Sequence, residues 1–351
     1  TPDGAHVYID DHLTTATNNT INLAPGEYKV RIFKDGYFPW EKKITIEKEI
    51  VSKAEALLFP SAPKLENITI TGVTRPTIDS TYSRIAYTVS SESAKKNNGI
   101  YILTMNRGSL LVLQNGIRQI IDDSTDSFSQ AKLSWTPDGQ NIIATVSANR
   151  NTPSTYLLDP NVTNQSPKDI TATLLTYDMQ WEKDKEQKNK IQLDTLRPAL
   201  QKIVTENFNI LGWSEDETKV LYEASQSATL PVIIKPPIIG TNSTPEVRQI
   251  EKDSVYVYDI KEDKNYLINK GDKKIHVDYE LVWFPDSKHL LYIYDHKIDI
   301  MEYDRQNITT VYAGPFEHEF VYPWPDGSKI VILTNLSNPY IPSHLYTVSL
   351  K

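Results

Sequence analysis

Four stretches of this chain repeat one another, each an apolar strand reaching tryptophan, then a tight polar turn, then a second apolar strand. They are 133–145 (LSWTPDGQNIIAT), 211–223 (LGWSEDETKVLYE), 281–293 (LVWFPDSKHLLYI) and 322–334 (YPWPDGSKIVILT), with a worn copy at 76–88 (PTIDSTYSRIAYT). Proline presets φ at the first corner of such a turn, aspartate bonds to nearby backbone N–H groups, and glycine accepts positive φ. A third strand follows each copy, at 100–104, 155–159, 255–259, 300–304 and 345–349. A shorter fourth element recurs at 169–171 and 307–309. Four short antiparallel strands per repeat is the plan of a propeller blade, and a repeat of this kind constrains the fold more than any local propensity.

Spacing sets the blade count. Trp135, Trp213, Trp283 and Trp324 lie 78, 70 and 41 residues apart, and only the last interval fits a bare blade of about 40–45 residues. The surplus falls in insertions at 176–207 and 225–252. Five blades account for 66–351, with six as the alternative. The chain stops after the third strand of its last repeat, whereas Asn67-Ile68-Thr69 carries the fourth-strand pattern. The expected pairing is therefore 66–71 with 345–350. The alternative is pairing of 66–71 within the first blade. The Trp/Phe-x-Pro-Asp-Gly core of these repeats resembles that of TolB-like propellers, across about residues 66–351.

The first fifty residues follow another plan. Segments 5–10 (AHVYID), 28–33 (YKVRIF) and 43–46 (KITI) alternate with period two, bounded by Asp3-Gly4, Pro25-Gly26 and Asp35-Gly36. Pro2-Asp3-Gly4-Ala5 before Val7-Tyr8-Ile9-Asp10, Leu23-Ala24-Pro25-Gly26-Glu27-Tyr28, and Lys34-Asp35-Gly36-Tyr37 with Trp40 resemble the PEGA domain in sequence and order. The first hairpin departs from it, since residues 10–20 lack that family's glycine-containing turn. The resemblance implies a small antiparallel β-sandwich-like module in a bacterial envelope protein, often beside a membrane anchor, and no catalysis. The expected fold is thus all-β: a domain at 1–52, a linker at 53–65, and a propeller at 66–351 with one helical insertion.

In the helical insertion, Leu193, Leu196, Leu200, Ile203 and Val204 share one face, with Asp194 expected as N-cap and Pro198 in the first turn. It reads as a helix packed on the propeller or a docking helix. The second insertion carries LPVIIKPPII at 230–239, whose prolines forbid a regular helix or central strand. So many aliphatic groups in a loop are costly to leave in water. Either they pack within the molecule, or Leu230, Ile233, Ile234, Pro236, Pro237, Ile238 and Ile239 form a partner-binding site.

No catalytic signature is present. The chain lacks a Gly-x-Ser-x-Gly elbow, a phosphate-binding glycine loop, a His-Glu-x-x-His pair and an EF-hand run. With no cysteine, disulfides and thiolate chemistry are excluded. Glu317-His318-Glu319 and Asp295-His296 are paper candidates for metal ligands, but neighbouring strand residues point to opposite faces. Asp138, Asp216, Asp286 and Asp326 recur in every clear copy, which marks them as turn residues rather than a carboxylate ring. No metal or cofactor is expected. A net charge of −8 without a basic cluster speaks against nucleic acid.

No run approaches eighteen apolar residues, and the sequence begins at Thr1, so an anchor upstream stays open. The expected function is a non-catalytic, extracytoplasmic envelope protein. Its propeller is an interaction platform for a protein, glycan or wall polymer, or for self-association. The alternatives are a glycan-acting propeller enzyme with acids at its central channel, and a cytoplasmic scaffold.

Overall fold

A computed structural model describes residues 2–90, 95–105, 116–147, 153–271, 279–318 and 320–351. The chain forms two compact units. One comprises Thr1–Lys64, Leu196–Gly314 and Ser349–Lys351, and the other Leu65–Thr195 and Pro315–Val348.

Five four-stranded antiparallel sheets carry the repeats. In the second unit, blade one runs Thr74–Ile78, Arg84–Val89, Gly99–Thr104 and Ile117–Asp122, and blade two runs Lys132–Trp135, Ile142–Val146, Ser154–Leu158 and Lys168–Asp169. In the first unit, blade three is Phe208–Trp213, Lys219–Ala224, Val255–Asp259 and Lys264–Asn269, and blade four is Tyr279–Trp283, His289–Tyr294, Lys297–Glu302 and Thr309–Ala313. Blade five has Val321–Pro323, Lys329–Thr334 and His344–Ser349, and its fourth strand is Leu65–Asn67. The ladder pairs Asn67 with Tyr346, Glu66 with Thr347 and Leu65 with Val348. Ile68 N–H donates to the Leu345 carbonyl at 2.8 Å beyond it. The two ends of the repeat region thus meet in one sheet, which covers an otherwise open strand edge.

The repeated turn is the same object in all five blades. The fourth turn residue donates its N–H to the first residue's carbonyl: Tyr82 to Asp79, Gly139 to Thr136, Glu217 to Ser214, Ser287 to Phe284 and Gly327 to Trp324. All five donors have positive φ, from 52° at Tyr82 to 68° at Gly139, so only two of the five turns use the glycine that suits this conformation. The turn aspartates hold the corner. Asp138 accepts from Gln140 N–H (2.9 Å), Asp216 from Thr218 N–H (3.1 Å), Asp286 from Lys288 N–H (2.8 Å) and Asp326 from Ser328 N–H (2.9 Å). The tryptophans join neighbouring blades: Trp135 Nε1 donates to the Thr77 carbonyl, and Trp283 Nε1 to that of Gly212.

The N-terminal sheet orders its strands as His12–Ala16, His6–Ile9, Gly26–Phe33 and Trp40–Ile46. The strand His12–Ala16 was not legible as alternation. It is placed by a two-residue hairpin in which Asp10 and Asp11, at φ 48° and 65°, replace the usual glycine-containing pair. Val30, Ile32 and Trp40 form its core with Ala5. Residues 53–65, expected as a linker, contribute Ala56 and Leu58 to that core, and Phe38 N–H donates to the Phe59 carbonyl at 2.9 Å. The apolar run through 56–59 is what draws this segment onto the sheet.

The helical insertion is two helices rather than one. α1 spans Leu174–Asp194 and buries no residue, while α2 spans Pro198–Asn207 and buries Leu200, Ile203, Val204 and Asn207. Asp194 is the last residue of α1, not an N-cap. The N-cap of α2 is Arg197, whose extended backbone is what a following proline favours. Among the described residues, no helix is long and apolar enough to cross a membrane.

Candidate functional site

The proline-rich insertion enters blade three between its second and third strands. It is pinned at its base by a two-stranded ribbon, Ala228–Thr229 with Gln249–Ile250. Leu230 is buried at 2% exposure, so the start of the strap packs inward. Ile233 and Ile234 are half-buried, and their N–H groups donate to Asp263 Oδ2 at 2.6 and 2.8 Å. Asp263 also accepts from Arg248 Nη1 (3.3 Å) and from the Tyr258 hydroxyl, so one buried carboxylate ties the strap to the blade. Pro236 and Pro237 are exposed, as are Ile238 (45%) and Ile239 (65%). The seven aliphatic and proline positions therefore divide into a packed base and an exposed tip.

Beyond the tip, the strap turns at Gly240 and lies against the N-terminal domain. Thr45 N–H donates to Ser243 Oγ at 2.9 Å. The strap, the edge strand Trp40–Ile46, and blades three and four together wall a cleft of about 500 Å³. Six lysines line it (Lys42, Lys43, Lys53, Lys219, Lys261, Lys288), with the acids Glu55, Asp216, Asp259, Glu262 and Glu302.

Part of this charge is fully committed. Lys42 Nζ lies 2.6 Å from both Glu302 Oε2 and Asp304 Oδ2. Trp40 Nε1 donates to Glu302 Oε1 at 2.5 Å, and Asn307 Nδ2 donates to the same oxygen at 2.8 Å. Asp304 also accepts from Thr244 Oγ1 (2.6 Å) and Asn242 Nδ2 (2.7 Å). Burial alone would raise the Asp304 carboxyl, but Lys42, Thr244 and Asn242 outweigh it and hold it below the ordinary carboxylate range. Burial pushes the Lys42 ammonium down, while Asp304 and Glu302 carry it above its usual value. Such a network, with every member bonded, fixes geometry.

The rest of the lining is less satisfied. Lys219 and Asp259 are cross-strand partners in blade three, with side chains 10% and 4% exposed, yet Nζ and Oδ2 are 3.9 Å apart. Desolvation raises the Asp259 carboxyl, despite a hydrogen bond from Glu262 N–H and the Lys219 charge. Desolvation also raises Glu262, against the N–H of Asn242. Lys219 Nζ sits 4.8 Å from the Tyr303 ring centroid, a cation–π distance.

Residues 1–61 match the PEGA domain family model. The match ends beyond the buried Ala56 and Leu58, so the PEGA domain takes in most of the segment read as a linker. No curated protein matches the sequence. Solved structures similar to the chain include TolB from Acinetobacter baumannii (14% identity, 92% of this chain and 60% of that one, TM-score 0.25). A putative TolB from Agrobacterium tumefaciens is 12% identical over 79% and 78% of the two chains, TM-score 0.25. An acylaminoacyl peptidase from Pyrococcus horikoshii is 12% identical over 81% and 41%, TM-score 0.23. The chain spans about 60% of the first of these. At such TM-scores the blade assignment rests on this chain's own strand order and register.

The cleft was not anticipated from sequence. Its one legible trace is the aspartate that closes the third-strand motif of three repeats, Asp159, Asp259 and Asp304, of which only Asp259 lies within its strand. Asp159 is exposed and accepts from Asn161 N–H at 2.7 Å, whereas Asp259 is buried in the cleft lining and Asp304 is buried against Lys42. Of the paper metal candidates, Asp295 and His296 form a tight hairpin turn at φ 43° and 57°. Glu317 accepts from Ser343 Oγ, and Glu319 lies outside the described residues. Among the described residues no three His, Asp or Glu side chains cluster as a metal site.

Proposed function

We propose that this chain is a non-catalytic binding protein of the cell envelope. In this reading the PEGA domain and the strap-bearing blades present one platform to a protein or cell-wall glycan partner. The observation that carries it is the joint wall of the cleft: Trp40 and Lys42 of the PEGA domain bond directly to Glu302 and Asp304 of blade four. A site built this way holds its walls in fixed register, as recognition requires. Lys42 is spent on Glu302 and Asp304, which fixes the joint between the two walls. The PEGA match supports the envelope setting, and the exposed Ile238 and Ile239 supply an apolar contact beside the cleft.

The test is a photoreactive residue placed at Ile239 in cells, with Leu13, 60% exposed on the N-terminal sheet, as the comparison position. The expected result is adducts to an envelope protein or wall polymer from position 239 well above those from position 13. Equal labelling at both sites, or turnover of envelope glycans by the purified chain, overturns the proposal.

A further inference from the structure

Lys219 and Asp259 are held opposite each other by the blade-three ladder, both nearly buried, both at the cleft wall. Their 3.9 Å separation is too long for a hydrogen bond. Asp259 accepts from the N–H groups of Glu262 (2.9 Å, at Oδ1) and Lys261, while Lys219 Nζ donates to Thr218 Oγ1 at 3.0 Å and lies 4.8 Å from the Tyr303 ring centroid. An ammonium has three donors and a carboxylate about four acceptor positions, so capacity is left over on both groups. The sheet register holds the two side chains opposite each other at the wall.

We propose that the cleft binds a neutral saccharide, one hydroxyl of which sits between Lys219 Nζ and Asp259 Oδ2. This rests on the binding reading above and gives its ligand a chemical class. A hydroxyl accepts and donates at once, so it satisfies ammonium and carboxylate together. A ligand carboxylate meets Asp259 and Glu262, and a ligand ammonium meets Lys219, so either charge is opposed on one side. The lining as a whole is near balance, with six lysines against five acids. Glu262, whose Oε2 already accepts Asn242 N–H at 2.9 Å, offers its second oxygen to a neighbouring hydroxyl. Ile44 and Val51 line the same cleft and offer apolar surface to sugar C–H groups. The volume of about 500 Å³ falls within the range of small-molecule sites, roughly 300–1,000 Å³.

The experiment is calorimetric titration of the whole chain with maltotriose, cellotriose and N-acetylated chitotriose, with acetate and methylammonium as charged comparisons. At least one trisaccharide is expected to bind in the millimolar range or tighter and to perturb the fluorescence of Trp40. Lys219→Gln and Asp259→Asn are each expected to weaken binding at least tenfold, with unchanged circular dichroism. Lys202→Gln, at an exposed residue of α2 that pairs with Glu206 outside the cleft, should leave it within twofold. If the first two variants do not fold, Glu262→Gln takes their place, with a several-fold loss expected. The proposal is overturned if no trisaccharide binds, if only a charged compound binds, or if binding ignores all three acidic-wall and Lys219 variants. Absent saccharide binding with adducts intact at position 239 discards the ligand class and keeps the platform. A saccharide that binds and is cleaved does the reverse, keeping the ligand class and discarding the non-catalytic reading.

Discussion

Lys42 of the PEGA domain and Asp304 of blade four form an ion pair at 2.6 Å, with the Asp304 side chain wholly shut from solvent. The two residues are 262 positions apart in sequence. Replacing Lys42 by methionine strands Asp304 and Glu302 as buried like charges. Breaking a buried pair from one side costs about 3–5 kcal/mol. Lys42→Met is therefore expected to lower unfolding stability by roughly 3 kcal/mol, read by chemical denaturation. Hydrogen exchange should show lost protection in Trp40–Ile46.

The same pair sets a pH window. The folded Asp304 titrates below its unfolded value of about 3.9, so its contribution is full above that value and lost as pH falls through the folded pKa. The folded Lys42 titrates above about 10.4, so its contribution is full below that value and lost as pH rises through the folded pKa. Protection of the PEGA edge strand should stay flat between about pH 5 and 10 on this account, then drop at both extremes. Asp259 and Glu262 act oppositely. Their raised values mean that ionisation opposes folding, a cost absent in acid and complete above the folded pKa. Asp259→Asn is expected to raise stability at neutral pH and leave it unchanged in acid, measured by thermal melts at several pH values.

Asp263→Ala removes the acceptor for two strap N–H groups, Arg248 and the Tyr258 hydroxyl. Buried donors left without a partner cost about 1–3 kcal/mol each. The expected outcome is release of residues 230–248, seen as protease cleavage in the strap while the ladders of blade four keep their exchange protection.

Gly99 opens the third strand of blade one at φ +138°, where a Cβ would stand 2.1 Å from the Ile121 carbonyl oxygen. That oxygen belongs to the neighbouring strand's backbone and cannot swing away. Gly99→Ala is expected to cost about 1–3 kcal/mol from backbone strain alone, with the clash against Ile121 added to it and the loss visible in the melting temperature.

Much of the fold was legible because its determinants are local. Period-two alternation, a turn with aspartate at its corner and a tryptophan before it mark a blade wherever they recur. The missing fourth strand was equally readable, since an unfinished sheet needs a partner and Asn67-Ile68-Thr69 carried the pattern. The helical insertion was read only in part. Helical spacing located the apolar face of α2, but the extended Arg197 before Pro198 splits the segment, and α1 has no buried face to announce its limits.

The candidate site was almost illegible. Lys42 sits in an ordinary alternating strand, Asp304 looks like one more strand-end aspartate, and Asn242 lies in a loop; nothing local distinguishes them. The sequence by itself determined the two kinds of β-module and the repeated turn, and narrowed the blades to five or six, because hydrophobic period and turn chemistry act over a few residues. Only the tertiary structure decided which charges are paired, which stand 3.9 Å apart, and which strap isoleucines stay in water. The physical reason is range: desolvation and Coulomb energy depend on the groups that folding brings together from hundreds of residues away.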